Sequence, residues 1–219
     1  MVRAILLFLM VCGPATAGAW LREPGEVFLA PSYTVENQRG RTRENTYSGL
    51  YAEWGLGTSL TLGADLGQPD GGEPAGVLFA RLPLIETTQG IRSAFEIGIG
   101  VRDGPGTTTA FLRPGLSLGY GFGSQIGNGW MALDLSTEVD RDASFDRFKA
   151  DLTLGLSASK RFKLMMQWHF ENVAGIEQRT TVPSIVWRTN ERQFVQVGVL
   201  SGRGGRRTEG FKLSLWQKF

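Results

Sequence analysis

An all-β fold, specifically a closed antiparallel up-and-down transmembrane barrel of about 12 strands with a range of 10 to 14, is predicted by three observations. The stretch YSGLYAEWGLGTSLTLGADLG, residues 47–67, alternates strictly: Leu50, Ala52, Trp54 and Leu56, then Leu60, Leu62, Ala64 and Leu66 share one face. Period-two alternation around a Gly-Thr break is a β-hairpin with one apolar side. The opposite face carries Tyr51, Glu53, Gly55, Thr61, Gly63, Asp65 and Gly67, small residues and acids that suit a narrow polar interior. The second observation is that this hairpin recurs down the chain with its charges confined to one face. The third is a secretory leader followed by a chain without cysteine.

The elements follow in order. Strand one, residues 26–36, places Val27, Leu29, Pro31, Tyr33 and Val35 on one face, and a polar loop over 37–45 leads into the hairpin that supplies strands two and three. Residues 68–75, QPDGGEPA, have strong turn chemistry. Strand four shows Leu78, Ala80, Leu82 and Leu84 outward; strand five, 92–101, sets Phe95, Ile97, Ile99 and Val101 against Glu96, Gly98 and Gly100. Strand six, 108–120, sets Ala110, Leu112, Pro114, Leu116 and Leu118 against Phe111, Arg113, Gly115, Ser117 and Gly119, and the Gly-rich string over 119–127 reads as turns. Strands seven (129–139) and eight (147–159) alternate most clearly, and strand nine carries Leu164, Met166, Trp168 and Phe170 outward. Strands ten (181–189) and eleven (193–200) alternate weakly, and the last, 210–219, aligns Phe211, Leu213, Leu215 and Phe219. Pro31, Pro83, Pro114 and Pro183 count against continuously paired central strands, because Pro donates no ladder hydrogen bond; bulges would house them.

No outward position named above is charged, whereas Glu53, Asp65, Arg81, Glu96, Arg113, Asp134, Glu138, Lys149, Asp151, Lys163, Glu171, Lys212 and Lys218 fall on the other face. A Lys or Arg facing lipid at the midplane costs about 2–4 kcal/mol, so this segregation is expected of a membrane barrel. A soluble sandwich or lipocalin-like barrel also alternates, with its apolar face inward. The Gly/Ser-rich polar face, the absence of cysteine after the leader, and aromatics placed near strand ends (Tyr33, Trp54, Tyr120, Trp168, Trp187, Phe219) favour the membrane.

Arg3, the apolar run from Ala4 to Cys12 and the small-x-small sites Ala15-Thr16-Ala17 and Ala17-Gly18-Ala19 read as a signal peptide, cut before Gly18 or before Trp20. The division is then a leader over 1–19 and a single barrel domain over 20–219. Lipidation at Cys12 is the rival, disfavoured by the bulky Val11 before it. A formal net charge of +2 supplies no broad basic field, which argues against nucleic acid as a partner.

With the leader, the serial hairpins and a terminal strand KLSLWQKF ending in Phe219, the chain resembles the outer-membrane β-barrel proteins of Gram-negative bacteria. Gln217 stands where a second aromatic is common and Ser214 where Gly is common. The resemblance implies a bacterial outer-membrane location, outer-membrane lipid and lipopolysaccharide as surroundings, and the barrel-assembly machinery as reader of the last strand. The segment YAEWGLGTSLTLG, residues 51–63, resembles a hairpin of barrels labelled as transporters of a phenol-degradation pathway, which implies porin-like transport of small molecules. An even strand count puts both termini in the periplasm and six connections, roughly six to ten residues each, outside the cell. Those connections carry Arg102, Arg141 and Arg179, and closure of the barrel clusters Arg39, Arg41, Arg43, Arg203, Arg206 and Arg207 as a candidate lipopolysaccharide contact through guanidinium–phosphate pairing, with a solvated loop surface as the alternative.

The candidate lumen-lining residues are Glu53, Asp65, Arg81, Glu96, Arg113, Asp134, Lys149, Asp151, Lys163, His169 and Glu171. Alternating signs on neighbouring strands predict cross-strand pairing, either as a plug that serves stability alone or as the lining of an aqueous path. His169 is expected to bond Glu171 on its own strand face; with no Ser beside it, enzymatic activity is not predicted and no catalytic residue is assigned. A lone His without cysteine predicts no metal site, and no cofactor motif is present. Three functions remain: a narrow channel or transporter for small solutes, a closed structural or surface-interaction barrel binding lipopolysaccharide, and a lipid-modifying enzyme.

Overall fold

The computed structural model describes residues 18–38, 44–204 and 206–219. Among these residues the chain forms twelve strands: β1 Val27–Gln38, β2 Asn45–Gly55, β3 Thr61–Pro69, β4 Ala75–Glu86, β5 Ile91–Gly104, β6 Thr107–Ser124, β7 Gly127–Val139, β8 Phe145–Ser157, β9 Phe162–Val173, β10 Ile176–Arg188, β11 Gln193–Gly204 and β12 Arg206–Lys218. Each pairs antiparallel with its neighbour in sequence, and β12 pairs with β1 to close the barrel. The closing register runs from Phe28↔Lys218 to Gln38↔Thr208. Closure leaves no strand edge unpaired, which is what permits a sheet to sit in hydrocarbon.

Alternation decides which way each side chain points. Leu78, Ile99, Leu112, Ile185, Val197 and Leu213 stand on the outer surface and are each half or more exposed, while Val77, Phe79, Phe111, Thr153, Val182 and Gln196 face inward and are buried. At the end holding the termini, the outer surface carries Trp54 and the stacked pairs Tyr120–Phe122 and Phe162–Trp187; at the other end it carries Tyr33, Phe145 and Phe211. These are two aromatic girdles around an apolar band. Trp168 belongs to neither, since it lies mid-strand opposite Leu152 and Thr181.

The four prolines named from sequence, Pro31, Pro83, Pro114 and Pro183, fall where a ladder is interrupted. Pairing of β1 with β12 steps from Leu29↔Gln217 to Ser32↔Ser214, passing over Pro31. Pairing of β6 with β7 steps from Leu112↔Val139 to Gly115↔Ser136 past Pro114, and β10 with β11 from Thr181↔Ser201 to Ser184↔Gly198 past Pro183. Pro83 sits at a bulge against β5. At Pro31, Pro114 and Pro183 the missing N–H thus coincides with a gap on one side only, while the other ladder stays intact; Pro83 lies beyond the last β3 pair, Thr61↔Arg81.

Several strands run further than their apolar alternation. Arg102 lies within β5 and Arg179 within β10, not in loops, because the ladders continue to tight turns. One turn is Ala174-Gly175, both at positive φ (48° and 86°), a pairing suited to a two-residue hairpin. The outer connections are correspondingly shorter than the sequence implies. The Gly-rich string is likewise mostly strand: Gly119, Gly121 and Gly123 belong to β6 and Gly127 to β7, leaving residues 125 and 126 as the turn.

Candidate functional site: the barrel lumen

The small inward residues do not leave an open bore. Their Cβ-less backbones accept aromatic rings from the neighbouring strand: Phe79 lies on Gly63, Phe111 on Gly100 and Trp130 on Gly155. These are cross-strand neighbours, Gly63↔Phe79, Gly100↔Phe111 and Trp130↔Gly155, so register places each ring over its glycine.

One wall carries a chain of ion pairs. Glu53 accepts from Arg22, from Arg81 and from the Tyr51 hydroxyl at 2.6 Å. Arg81 continues to Glu96 at 2.7 Å, and Arg113 joins Glu96 at 3.1 Å to Asp65 at 2.8 Å. Glu53, Arg81, Glu96 and Arg113 are all buried. Burial of charge is tolerable only when each group is paired and hydrogen-bonded, and alternation of sign along this row does that. A second cluster, nearer the end away from the termini, links Arg102 to Glu138 at 2.6 Å and Arg147 to Glu138 and Glu171, with Lys149 3.5 Å from Glu171.

His169 bonds Asp151 at 2.7 Å through Nδ1, not Glu171. The physical reason is register: Asp151↔His169 are directly opposed on β8 and β9, whereas Glu171 lies one pleat further along and is held by Arg147. A row of polar groups therefore crosses the wall, Ser117, Asp134, Asp151 and His169 on β6 to β9. Among the described residues no hydroxyl bonds His169, and none form a group suited to a metal ion.

Two polar cavities share the interior. An outer vestibule of about 760 Å³ is lined by residues such as Glu36, Tyr47, Arg102, Glu138 and Arg147. An inner cavity of about 340 Å³ is lined by Tyr51, Arg81, Glu96, Asp134, Gln167 and others. Asp65, Arg113, Lys149, Asp151, His169 and Lys212 line both and form the ring between them. Lys212 makes no ion pair among the described residues. Beyond the inner cavity, toward the termini, the lumen is filled by Trp20, Trp130, Met165 and Val186, with Phe194 and Trp216 packed against them.

No family model matches the chain, and no curated protein matches it. Among solved structures it is similar to the KdgM porin, with 13% identity and a TM-score of 0.61 over 87% of this chain and 99% of that one. It is similar also to the NanC porin, with 8% identity and a TM-score of 0.60 over 87% of this chain and 100% of that one. LpxR from Salmonella typhimurium aligns at 9% identity and a TM-score of 0.56, over 86% and 99%. The fold is that of outer-membrane porins. At these identities the porin likeness is one of fold, and the hairpin likeness to phenol-pathway transporters has no counterpart among the three.

Of the lumen residues named from sequence, Asp65, Arg81, Glu96, Arg113, Asp134, Lys149, Asp151, His169 and Glu171 line the two cavities of this porin-like barrel. Glu53 lies beneath the surface between two arginines, and Lys163 sits 5.5 Å from the Trp130 ring and 5.1 Å from that of Phe194. Arg22 and Arg147 were not singled out, Arg102 was assigned to an outer connection, and Lys212 was placed on the inward face but not among the lumen residues; Arg102 and Arg147 share the signal of an inward position, but Arg22 precedes every strand and carries none. Of the arginine cluster, Arg39, Arg41 and Arg43 lie outside the described residues, as does the side chain of Arg206. Arg203 and Arg207 face each other at the last hairpin, and Arg207 is 2.8 Å from Glu209.

Proposed function

We propose that the protein is an outer-membrane channel whose lumen is a narrow, charge-lined passage for small polar solutes, closed at the terminal end in the arrangement described above. The observation that carries this reading is the shared ring. A vestibule and an inner cavity that share six polar lining residues set polar space on both sides of one charged ring, and a plug serving stability alone has no need of it. The ring holds Arg113, Lys149 and Lys212 against Asp65 and Asp151, and this excess of cations gives it a mild preference for anions. The porin fold of the neighbours supports transport as the class of function.

The test is single-channel recording in planar bilayers, with heat-modifiable gel migration establishing that the barrel is closed. Wild type is expected to show small, intermittent conductance steps, and Trp20→Ala longer openings. Folded barrels of both forms that pass no ions would overturn the reading.

A further inference from the structure

Residues 18–22 do not end outside the barrel but enter it. Ala19 and Trp20 are buried, and the Trp20 ring rests on the bare Cα of Gly119, where a Cβ would fall 2.5 Å from Trp20 Cη2. Arg22 is anchored by its backbone N–H to Thr61 Oγ1 at 3.0 Å, by its guanidinium to Glu53 and to Glu26 at 3.0 Å, and by the Phe28 ring 4.1 Å below it. Gly18 therefore lines the inner cavity. There its Cα faces Ser117 and Asp134, and a Cβ built on it would lie 2.5 Å from Asp134 Oδ1 and against Ser117 Oγ. Asp134 Oδ1 is buried and makes no hydrogen bond among the described residues. Its cross-strand neighbour Asp151 is a second carboxylate. A buried carboxylate oxygen without a donor, facing another acid, calls for a cation.

We propose that the chain is processed between Ala17 and Gly18 and that the α-ammonium so formed docks on Asp134 and Ser117, locking residues 18–22 as a lumenal plug. The step is peptide hydrolysis by a signal peptidase with water as co-reactant. The C–N bond breaks, the carboxylate leaves with Ala17, and the Gly18 amine takes up a proton. In the freed residue, rotation about the Cα–C bond of Gly18 brings the ammonium to the direction a Cβ would occupy, within hydrogen-bond reach of both oxygens. The charge-assisted contact then satisfies Oδ1. Cleavage before Trp20 does neither: it would set the new ammonium in the apolar cluster of Trp130, Ala132, Met165 and Val186 and leave Asp134 Oδ1 unsatisfied.

The proposal deepens the channel reading by naming what closes it, and it rests on that reading's barrel but not on its conductance. Its tests are therefore made without current. Intact mass of protein taken from outer membranes is expected to begin at Gly18; a chain beginning at Trp20, or one retaining the leader, would overturn the processing site. Reductive methylation with ¹³C-formaldehyde reads the exposure of the α-amine in the native barrel by NMR. Its rate is expected to rise tenfold or more in Asp134→Asn and in Gly18→Ala, which keeps a small residue at the cleavage site while its Cβ crowds Asp134 and Ser117. Rates equal to wild type in whichever of these variants folds, judged by heat-modifiable migration, would overturn the latch.

Discussion

Arg81 and Glu96 are directly opposed on β4 and β5, their side chains 2.7 Å apart and nearly sealed from water. The pair is a link in a longer row, and the two ends of the link are unequal. Removing Arg81 strands Glu96 with Arg113 alone and strips Glu53 of one of its two guanidinium partners. Removing the charge of Glu96 leaves Arg81 still bound to Glu53 and to the Tyr51 hydroxyl at 3.0 Å.

Breaking a buried pair by deleting one partner costs about 3–5 kcal/mol. Arg81→Ala is expected in that range, and Glu96→Gln, which keeps shape and hydrogen-bonding capacity, clearly below it. Urea titrations of the barrel in lipid vesicles, followed by gel migration without heating, give the comparison. Equal and small losses for both variants would mean that the row is well hydrated and carries little of the stability.

The ring-on-glycine contacts make a second prediction. A Cβ at Gly63 would collide with the Phe79 ring, and Gly63 has no free side because the Ala52 carbonyl lies 2.7 Å from the same point. Overpacking of this kind typically costs about 1–3 kcal/mol. Gly63→Ala should lose stability by that amount, and the double variant Gly63→Ala/Phe79→Leu should regain part of it. A double variant no better than the sum of the singles would show that the strain lies in the backbone, not the ring.

Much of this was legible in the sequence because barrel physics is periodic. Leu78, Ile99 and Leu213 could be placed outward, and Arg81, Glu96 and Arg113 inward, from parity alone, since a strand in a closed sheet has no third direction. Partners were harder. Parity gives the face of His169 but not its height against β8, and the ladder register selects Asp151 over Glu171. The filling of the bore was hidden for a related reason: Gly63 and Gly155 read as space, and only their cross-strand neighbours Phe79 and Trp130 show that the space is taken. Trp20 and Arg22 were invisible as a plug because residues beside a leader have no alternation to read.

The ring between vestibule and cavity supplies a third prediction. Lys212 stands in it with no ion pair among the described residues, opposite Thr34 on the closing strand. Reversing its charge should shift the ion preference of the conductance toward cations, with a change in reversal potential under a salt gradient that is larger than for Lys149→Glu, since Lys149 already has Glu171 at 3.5 Å. A lumen in which both reversals act alike would mean that Glu171 does not screen Lys149.

The outer surface separates a membrane barrel from a soluble one. Ile97 lies at the middle of β5 with Ala80 and Pro114 on either side, all on the outer face. Ile126 is 70% exposed in the turn between β6 and β7, beyond the apolar band. A soluble barrel would bear an arginine at either place with little change, because both side chains would already meet water. In hydrocarbon the positions differ: an arginine at the midplane costs about 2–4 kcal/mol and one near the interface about 0–1. Ile97→Arg should therefore lower stability in lipid vesicles by several times more than Ile126→Arg, and in thicker bilayers the penalty at residue 97 should grow while that at 126 stays small. Equal penalties at the two sites would place the girdles of Trp54 and Tyr33 in water and remove the physical ground for an apolar exterior.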